Sequence, residues 1–416
     1  MAKIISLTAQ EILDSRGFPA ISVTVALEKG LSASASGASG VFIDGNEILE
    51  LRDGDHRRYR GQGVLKAIGK IDDIIAPALV GLKVEDQEAI DKLLVELDGT
   101  SDRSNLGANT IIAVSMAVSR AAALAAKKEL YAYLADSFSL GKPSIPVPIF
   151  NLFNGGKHAD TNLDFQEFLI IPKKQDTANM IRVGAEIFHE LGDVLRESGY
   201  DTDTGTEGGY APDMDSSIEA IEMIMAASLR AGYNPGREVN LGIDVGSSIL
   251  YDSENKKYIF PLDHAYFHTS DLIGLYQQWL NKYPIVYIED GLAEDDWAAW
   301  RELTSTLGNK IMIAGDDLFS TNEARLRQGL AEKAGNTIVI KPSQAGTVTE
   351  TIKCIKLAQR HNYQIVLSQR GGETNDDYIV DLAVACQVNY LKAGSLARGE
   401  RVAKYNRLLK IASIIE

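Results

Sequence analysis

Hydrophobic and polar positions along the chain follow two rhythms. The first 140 residues open with alternating stretches, Ile4 to Ile12 and Ala20 to Leu27, which predict antiparallel strands. Helical periodicity follows over Gly63 to Ile75, over Glu85 to Leu97 and over the alanine-rich run Gly107 to Ala135, with Asn105 placed as the N-cap of the last. Between strands and helices, Leu31 to Asn46 is rich in Ser, Ala and Gly, keeps no period and reads as a mobile loop. Pro143, Pro146 and Pro148 then stop any helix and favour an extended connector. They divide the chain into an N-terminal α+β unit, residues 1–140, and a second unit, residues 141–416.

From about residue 147 short β-branched runs recur, each ending in polar residues and followed by a helical pattern. The runs are Leu241 to Val245, Ile285 to Asp290, Ile311 to Asp317, Thr337 to Lys341, Gln364 to Arg370 and Tyr390 to Lys392. Helical patterns lie between them over Ser270 to Tyr283, Glu294 to Leu307, Thr321 to Lys333, Thr347 to His361 and Asn375 to Cys386. After a first interval of 45 residues, the polar strand ends Glu289, Asp316, Lys341, Gln369 and Lys392 follow at 27, 25, 28 and 23. That repeat fits an α/β fold with a parallel barrel, the alternative being an open doubly wound sheet. The absence of a Gly-x-Gly-x-x-Gly turn favours the barrel.

Composition narrows the function. With 42 Lys and Arg against 57 Asp and Glu, the net charge is −15. That acidity argues against sequence-independent nucleic-acid binding and against docking on anionic lipid. A hydrophobic share of 45% in 416 residues supports a sizeable core rather than disorder. The most apolar segment, Ala108 to Ala126, carries Asn109 and Arg120 and reads as a buried helix, not a membrane span. The opening residues meet Gln10, Glu11 and Asp14 before any apolar region develops, unlike a signal peptide. Cys354 and Cys386 are far apart and lack metal-ligand spacing. Together these features lead to the expectation of a cytoplasmic protein.

In a parallel barrel the C-terminal strand ends converge on one face. Asp244, Glu289 and Asp316 would meet there, and three hard oxygen ligands suit Mg²⁺ better than zinc. Each carboxylate could instead pair a neighbouring lysine or cap the next helix. Lys341 and Lys392 end two further strands on that rim. As neighbouring cations, each would disfavour the other's ammonium form and make one of them a usable base. They could equally neutralise the carboxylates. Glu167 and Glu207 add two carboxylates before the repeat, Glu207 in a glycine-rich loop, and Arg370 offers a planar fork for phosphate or carboxylate. Acidic ligands, a lysine base and a separate glutamate acid point to one reaction class. A proton α to a carboxylate is abstracted, the enediolate is held on a metal, and a hydroxyl leaves.

Many segments in one order resemble the enolase (phosphopyruvate hydratase) family. They include Leu13-Asp-Ser-Arg-Gly17, Leu49-Glu-Leu-Arg-Asp-Gly-Asp55, Asn154-Gly-Gly-Lys-His-Ala159, Glu207-Gly-Gly-Tyr-Ala-Pro212, Tyr287-Ile-Glu-Asp-Gly-Leu292, Gly315-Asp-Asp-Leu318, Gly372-Glu-Thr374 and Arg401-Val-Ala-Lys-Tyr-Asn406. The resemblance implies an N-terminal α+β domain capping a modified (β/α)₈ TIM-type barrel, in a homodimer or higher homo-oligomer. It implies one tight Mg²⁺ site on Asp244, Glu289 and Asp316, with a second Mg²⁺ joining with substrate. By motif, Lys341 is the base and Glu207 the acid, with Glu167 beside it. Lys392 binds the substrate carboxylate and Arg370 the phosphoryl group. Ser39 belongs to a mobile lid that joins the second metal, and His158 to another closing loop.

The chain also departs from the family pattern. Where enolases typically read Ser-His-Arg-Ser-Gly-Glu-Thr, it has Ser368-Gln-Arg-Gly-Gly-Glu-Thr374, so an active-site histidine is Gln369 and a phosphate-contacting serine is Gly371. The lid reads Gly37-Ala-Ser-Gly-Val-Phe42, the residue before Glu207 is Thr206 rather than acidic, and Lys341 is followed by Pro-Ser-Gln-Ala-Gly346. Metal ligands, base, acid and carboxylate anchor all stand, so the changes gather at the phosphoryl end. The expected substrate is a small phosphorylated or phosphonylated carboxylic acid, as in the enolase-like carboxyphosphonoenolpyruvate synthases. The alternatives are an ordinary glycolytic enolase acting on 2-phosphoglycerate and a catalytically retired scaffold.

Overall fold

The computed structural model describes residues 2–40 and 46–416. Residues 41–45, which belong to the expected mobile loop and in part to the expected lid, lie outside the described residues. The N-terminal unit carries an antiparallel sheet of β1 (Ile4–Leu13), β2 (Pro19–Leu27) and β3 (Ser32–Gly37), in that order. Asp14 closes the first hairpin, its Oδ1 accepting from Arg16 N at 2.8 Å and Phe18 N at 3.0 Å. Strand β3 corrects the expectation of a loop from Leu31. Its Ser and Ala residues hide a strand because the helix Ala108–Ala125 presses against it: a Cβ on Gly37 would stand 3.2 Å from Asn109 O. Small side chains fit that close approach but carry no hydrophobic period.

The alanine-rich run forms two helices, Ala108–Ala125 and Leu130–Ser137, instead of one. Lys127 takes a left-handed φ of +56°, and its N–H and that of Lys128 turn back onto Leu124 O and Ala123 O. Asn105 is not the N-cap. Gly107 holds that position, while Asn105 Nδ2 donates to Asp98 O at 2.7 Å. Fifteen of this helix's residues are buried, so its apolar length serves the core.

The second unit is a closed eight-stranded barrel. Its strands are β4 (Val147–Asn154), β5 (Glu167–Pro172) and β6 (Val239–Asp244), then, after a small antiparallel sheet of β7 (Tyr251–Asp252), β8 (Lys257–Phe260) and β9 (Ala265–Phe267), β10 (Ile285–Glu289), β11 (Met312–Gly315), β12 (Thr337–Ile340), β13 (Gln364–Ser368) and β14 (Tyr390–Lys392). Only β5 runs against its neighbours. The inserted sheet and the helix Thr269–Lys282 account for the long first interval in the repeat. Inward-facing Ile149, Leu169, Tyr287, Val339 and Val366 fill the barrel, while the outer strand faces pack on the helices between strands.

A buried hydrogen-bonded clasp joins the two units. Asp91 Oδ2 accepts from the N–H (2.9 Å) and Oγ1 (2.6 Å) of Thr349, at the start of the barrel helix Val348–Arg360. Ser115 Oγ accepts from Val348 N at 3.0 Å and donates to Asp91 Oδ1 at 2.6 Å. The capping unit thus satisfies orphan N–H groups of a barrel helix. Asp91→Ala is expected to lower stability by about 3 kcal/mol, since it leaves several buried donors without a partner. Burial, working against the Ser115 and Thr349 hydrogen bonds, raises the Asp91 carboxyl to about 6. An unfolded aspartate loses its proton near ~3.9. Between these values only the folded chain holds the proton, so this group's contribution to stability falls as pH rises through that window. Urea unfolding of wild type and Asp91→Asn at pH 4 and pH 7 checks this: the variant should lose that part of the slope.

Candidate active site

The reversed direction of β5 decides which end of it reaches the site. Because β5 runs against the others, its first residue, Glu167, pairs in register with Asp244, the last residue of β6. Glu289 and Lys392 end β10 and β14, while Asp316, Lys341 and Gln369 each follow their strand by one residue. One rim therefore gathers side chains from seven strands. Glu167, Glu207, His158, Asp244, Asp316, Lys341, Gln369, Arg370, Gly371 and Lys392 line one pocket there. Glu289 joins through Lys392, and Ser39 does not line the pocket. Ser39 is buried beside it, its Oγ accepting from Arg52 at 2.8 Å and its backbone pairing with Gly372 in both directions.

Two lysines divide the carboxylates. Lys392 Nζ lies 3.0 Å from Glu167 Oε2, 3.1 Å from Asp244 Oδ2 and 2.8 Å from Glu289 Oε2. Lys341 Nζ instead pairs with Asp316 Oδ2. The expected mutual lowering of the two lysines is therefore corrected. Burial does lower both, but the carboxylates outweigh it and hold Lys341 and Lys392 above the ordinary lysine range. The cation that opposes the Lys341 charge is Arg370, not Lys392. Burial and Asp244, against Lys392, raise the Glu289 carboxyl to about 8. Tyr287 Oη also donates to Glu289 Oε2, at 2.5 Å.

His158, Glu167 and Glu207 form a second cluster, with ligand atoms within 4.8 Å of one another. Burial, only partly offset by Lys392, raises the Glu167 carboxyl to about 7. Burial also opposes the charge on Glu207, but His158 and Arg401 hold it well below the usual carboxylate range. The imidazole of His158, despite burial, is raised to about 9 by Glu207 and Glu167. Within the pair, burial favours the protonated form of Glu167, while His158 and Arg401 favour the charged form of Glu207. Glu207 is also fixed rather than loose. Gly208 turns the chain at φ +89°, where a Cβ would come within 3.0 Å of Ala397 O, and Glu207 O accepts from Ser395 N at 2.9 Å.

At the phosphoryl end, Arg370 Nη2 donates to Glu47 Oε2 at 2.7 Å, while its buried Nη1 has no hydrogen-bond partner among the described residues. Glu47 comes from the capping unit, and its Oε1 accepts from Gln344 at 2.8 Å. Neither Glu47 nor Gln344 stood out in the sequence, and nothing in its periodicity marks them. Tyr287 could have been found, since residues two apart on a strand share a face and Glu289 is its partner. Asp290 was also missed. At φ +43° its carboxylate accepts from Asp316 N and Asp317 N, each at 3.0 Å, and so sets the turn that presents Asp316.

The rim suits a divalent cation. Asp244 Oδ1 and Asp316 Oδ1 are buried carboxylate oxygens without a hydrogen-bond partner among the described residues, a costly state that a cation bound by hard oxygen donors relieves. Carboxylates of Asp290, Asp316 and Asp317 also approach within 4.8 Å.

Two family models match the chain. The enolase N-terminal domain matches residues 4–134, and the enolase C-terminal TIM barrel domain matches residues 142–416. With the capping unit, the closed barrel and the lysine–carboxylate rim in place, these matches over nearly its whole length show that the chain belongs to the enolase family.

Proposed function

We propose that the protein is a Mg²⁺-dependent lyase that removes the proton α to a carboxylate and expels a β-hydroxyl from a 2-phosphoglycerate-like substrate. The observation that carries this reading is the division of Asp244, Glu289 and Asp316 between buried Lys392 and half-buried Lys341 on one barrel rim. Asp244, Glu289 and Asp316 are the residues to hold the cation. When bound, Mg²⁺ supplies positive charge opposite the carboxylate oxygens on which negative charge builds, and competes with Lys341 for Asp316.

Lys341 accepts the α-proton at Nζ; burial and the nearby Arg370 charge favour its neutral form, against the Asp316 carboxylate that favours the ammonium. Lys392 stays an ammonium and anchors the substrate carboxylate. The Glu207–Glu167 pair, with His158 beside it, supplies the proton that leaves with the hydroxyl as water. Arg370 offers Nη1 to the phosphoryl group. The product is the corresponding enol ester, and the sum of the two steps is loss of one water.

The finer assignment concerns phosphorus. Gly371 offers no hydroxyl where relatives of this type present one. That change favours a group on phosphorus that is larger or less charged than a free phosphate, as in a carboxyphosphonoenolpyruvate synthase. The two buried, unpaired cysteines suit the cytoplasm expected for such an enzyme. Phosphorus-31 NMR of the enzyme with 2-phosphoglycerate, and separately with a glycerate whose 2-oxygen carries a carboxyphosphonyl ester, tests the assignment. The ester should lose water to its enol product faster than 2-phosphoglycerate does. Rapid phosphoenolpyruvate formation from 2-phosphoglycerate, with the ester left unchanged, would return the protein to ordinary enolase activity.

A further inference from the structure

We propose that Gln369 is a positioning residue whose amide, oriented by the buried guanidinium of Arg401, holds Glu207 in the geometry that elimination needs. The proposal rests on the lyase reading above and specifies how one half of its site is kept in register.

The geometry leaves the amide one orientation. Arg401 is fully buried and carries only donors. Its Nη1 meets Arg370 O at 2.8 Å, and its Nη2 meets Gly371 O at 2.9 Å and Thr206 O at 3.2 Å. Nη1 also donates to Gln369 Oε1. A guanidinium can accept nothing, so the oxygen of Gln369 must face it and the NH₂ must face away. That NH₂ donates to Glu207 Oε2 at 2.7 Å. Glu207 Oε2 is therefore held as an acceptor by a group that cannot take up or release a proton.

The surroundings leave little room for another arrangement. Gln369 is 2% exposed, and its backbone N–H is tied to Lys392 O at 3.0 Å. A Cβ on Gly394 would lie 2.9 Å from Gln369 Nε2 and 3.0 Å from Arg401 Cδ. The side chains of Gln369 and Arg401 thus fill the space to the backbone. A histidine could make the same two contacts, one nitrogen accepting from Arg401 and the other donating to Glu207, but it would titrate. Glutamine keeps the connection and fixes its charge.

Lys341 and Glu207 serve different halves of the reaction, which gives the test. Wild type, Gln369→Met and Gln369→His are compared with Mg²⁺ and the substrate that wild type turns over, reading two rates. One is exchange of the α-hydrogen with D₂O, followed by proton NMR, and the other is elimination to the enol product. Gln369→Met should slow elimination ten- to a hundredfold while exchange stays within about twofold of wild type, with KM little changed. Gln369→His should restore elimination to within a few-fold. Equal loss of both rates in Gln369→Met would show a general packing role, and unchanged elimination would show no role; either overturns the proposal. If Gln369→Met does not fold, Gln369→His decides, because a tenfold loss of elimination there contradicts the assignment. Absence of both exchange and elimination in wild type would instead mark failure of the lyase reading itself.

Discussion

Lys341→Ala is expected to reduce kcat by about 10⁴, the upper range for loss of a positioned general base, with KM changed only a few-fold. The variant loses the only side chain at the β12 end that can take an α-proton. It also releases Asp316 from its ion pair, so Mg²⁺ should bind no more weakly than in wild type. That combination separates a catalytic lysine from one that only neutralises carboxylates, whose removal would disturb the metal and the fold together. Steady-state kinetics beside calorimetric Mg²⁺ titration would show the difference.

Lys392→Met should have the largest effect on stability. Lys392 is 3% exposed and is the shared counter-ion of Glu167, Asp244 and Glu289. Removing one partner of a buried ion cluster costs about 3–5 kcal/mol, because the remaining charges stay buried without compensation. The loss depends on pH in a defined direction. Glu289 and Glu167 already stand near 8 and 7, raised chiefly by burial, and losing the ammonium raises them further. Groups whose folded values lie above the unfolded carboxylate range stabilise less as pH rises through the folded values. The variant should therefore be weaker relative to wild type at pH 8 than at pH 6. Mg²⁺ should recover part of the loss by binding the folded form. Urea unfolding at both pH values, with and without Mg²⁺, gives the comparison, and a loss independent of pH and metal would contradict the shared-counter-ion account.

The second half of the fold was legible because its strands are apolar runs whose last residues are polar. That pattern survives in one dimension, and it led directly to Asp244, Glu289, Asp316, Lys341 and Lys392. The first two barrel strands carried no such signal. In β4 the buried Asn151 and Asn154 break the apolar run, and β5 reverses direction, so neither fits a βα repeat. Strand β3 was lost for a different reason, since the helix packed against it admits only small side chains. The helix break at Lys127 depends on one left-handed residue that helix propensity alone does not mark.

Site chemistry divides in the same way. Residue types at strand ends gave the reaction class, but charge states depend on which side chains meet. Lys392 finds Asp244 across 148 positions of sequence, and Gln369 finds Glu207 across 162. Such distances explain why the sequence suggested two lysines tuning each other, whereas Lys392 sits among three carboxylates and Lys341 pairs with Asp316. They also explain why the cations that face Glu207, His158 and Arg401, could not be foreseen. Arg401 appeared in a matching segment without a role, because a buried arginine on a helix shows no purpose until its acceptors are known.

The most direct test of the central claim is exchange of the C2 hydrogen with D₂O, followed by proton NMR, in 2-phosphoglycerate and separately in the glycerate whose 2-oxygen carries a carboxyphosphonyl ester. Wild-type enzyme with Mg²⁺ should wash out the C2 signal in at least one of these mixtures, chelation of the metal should stop it, and Lys341→Ala should leave the signal intact. A C2 hydrogen retained in both mixtures by folded, Mg²⁺-bound wild type, or exchange by Lys341→Ala at the wild-type rate, would contradict the account.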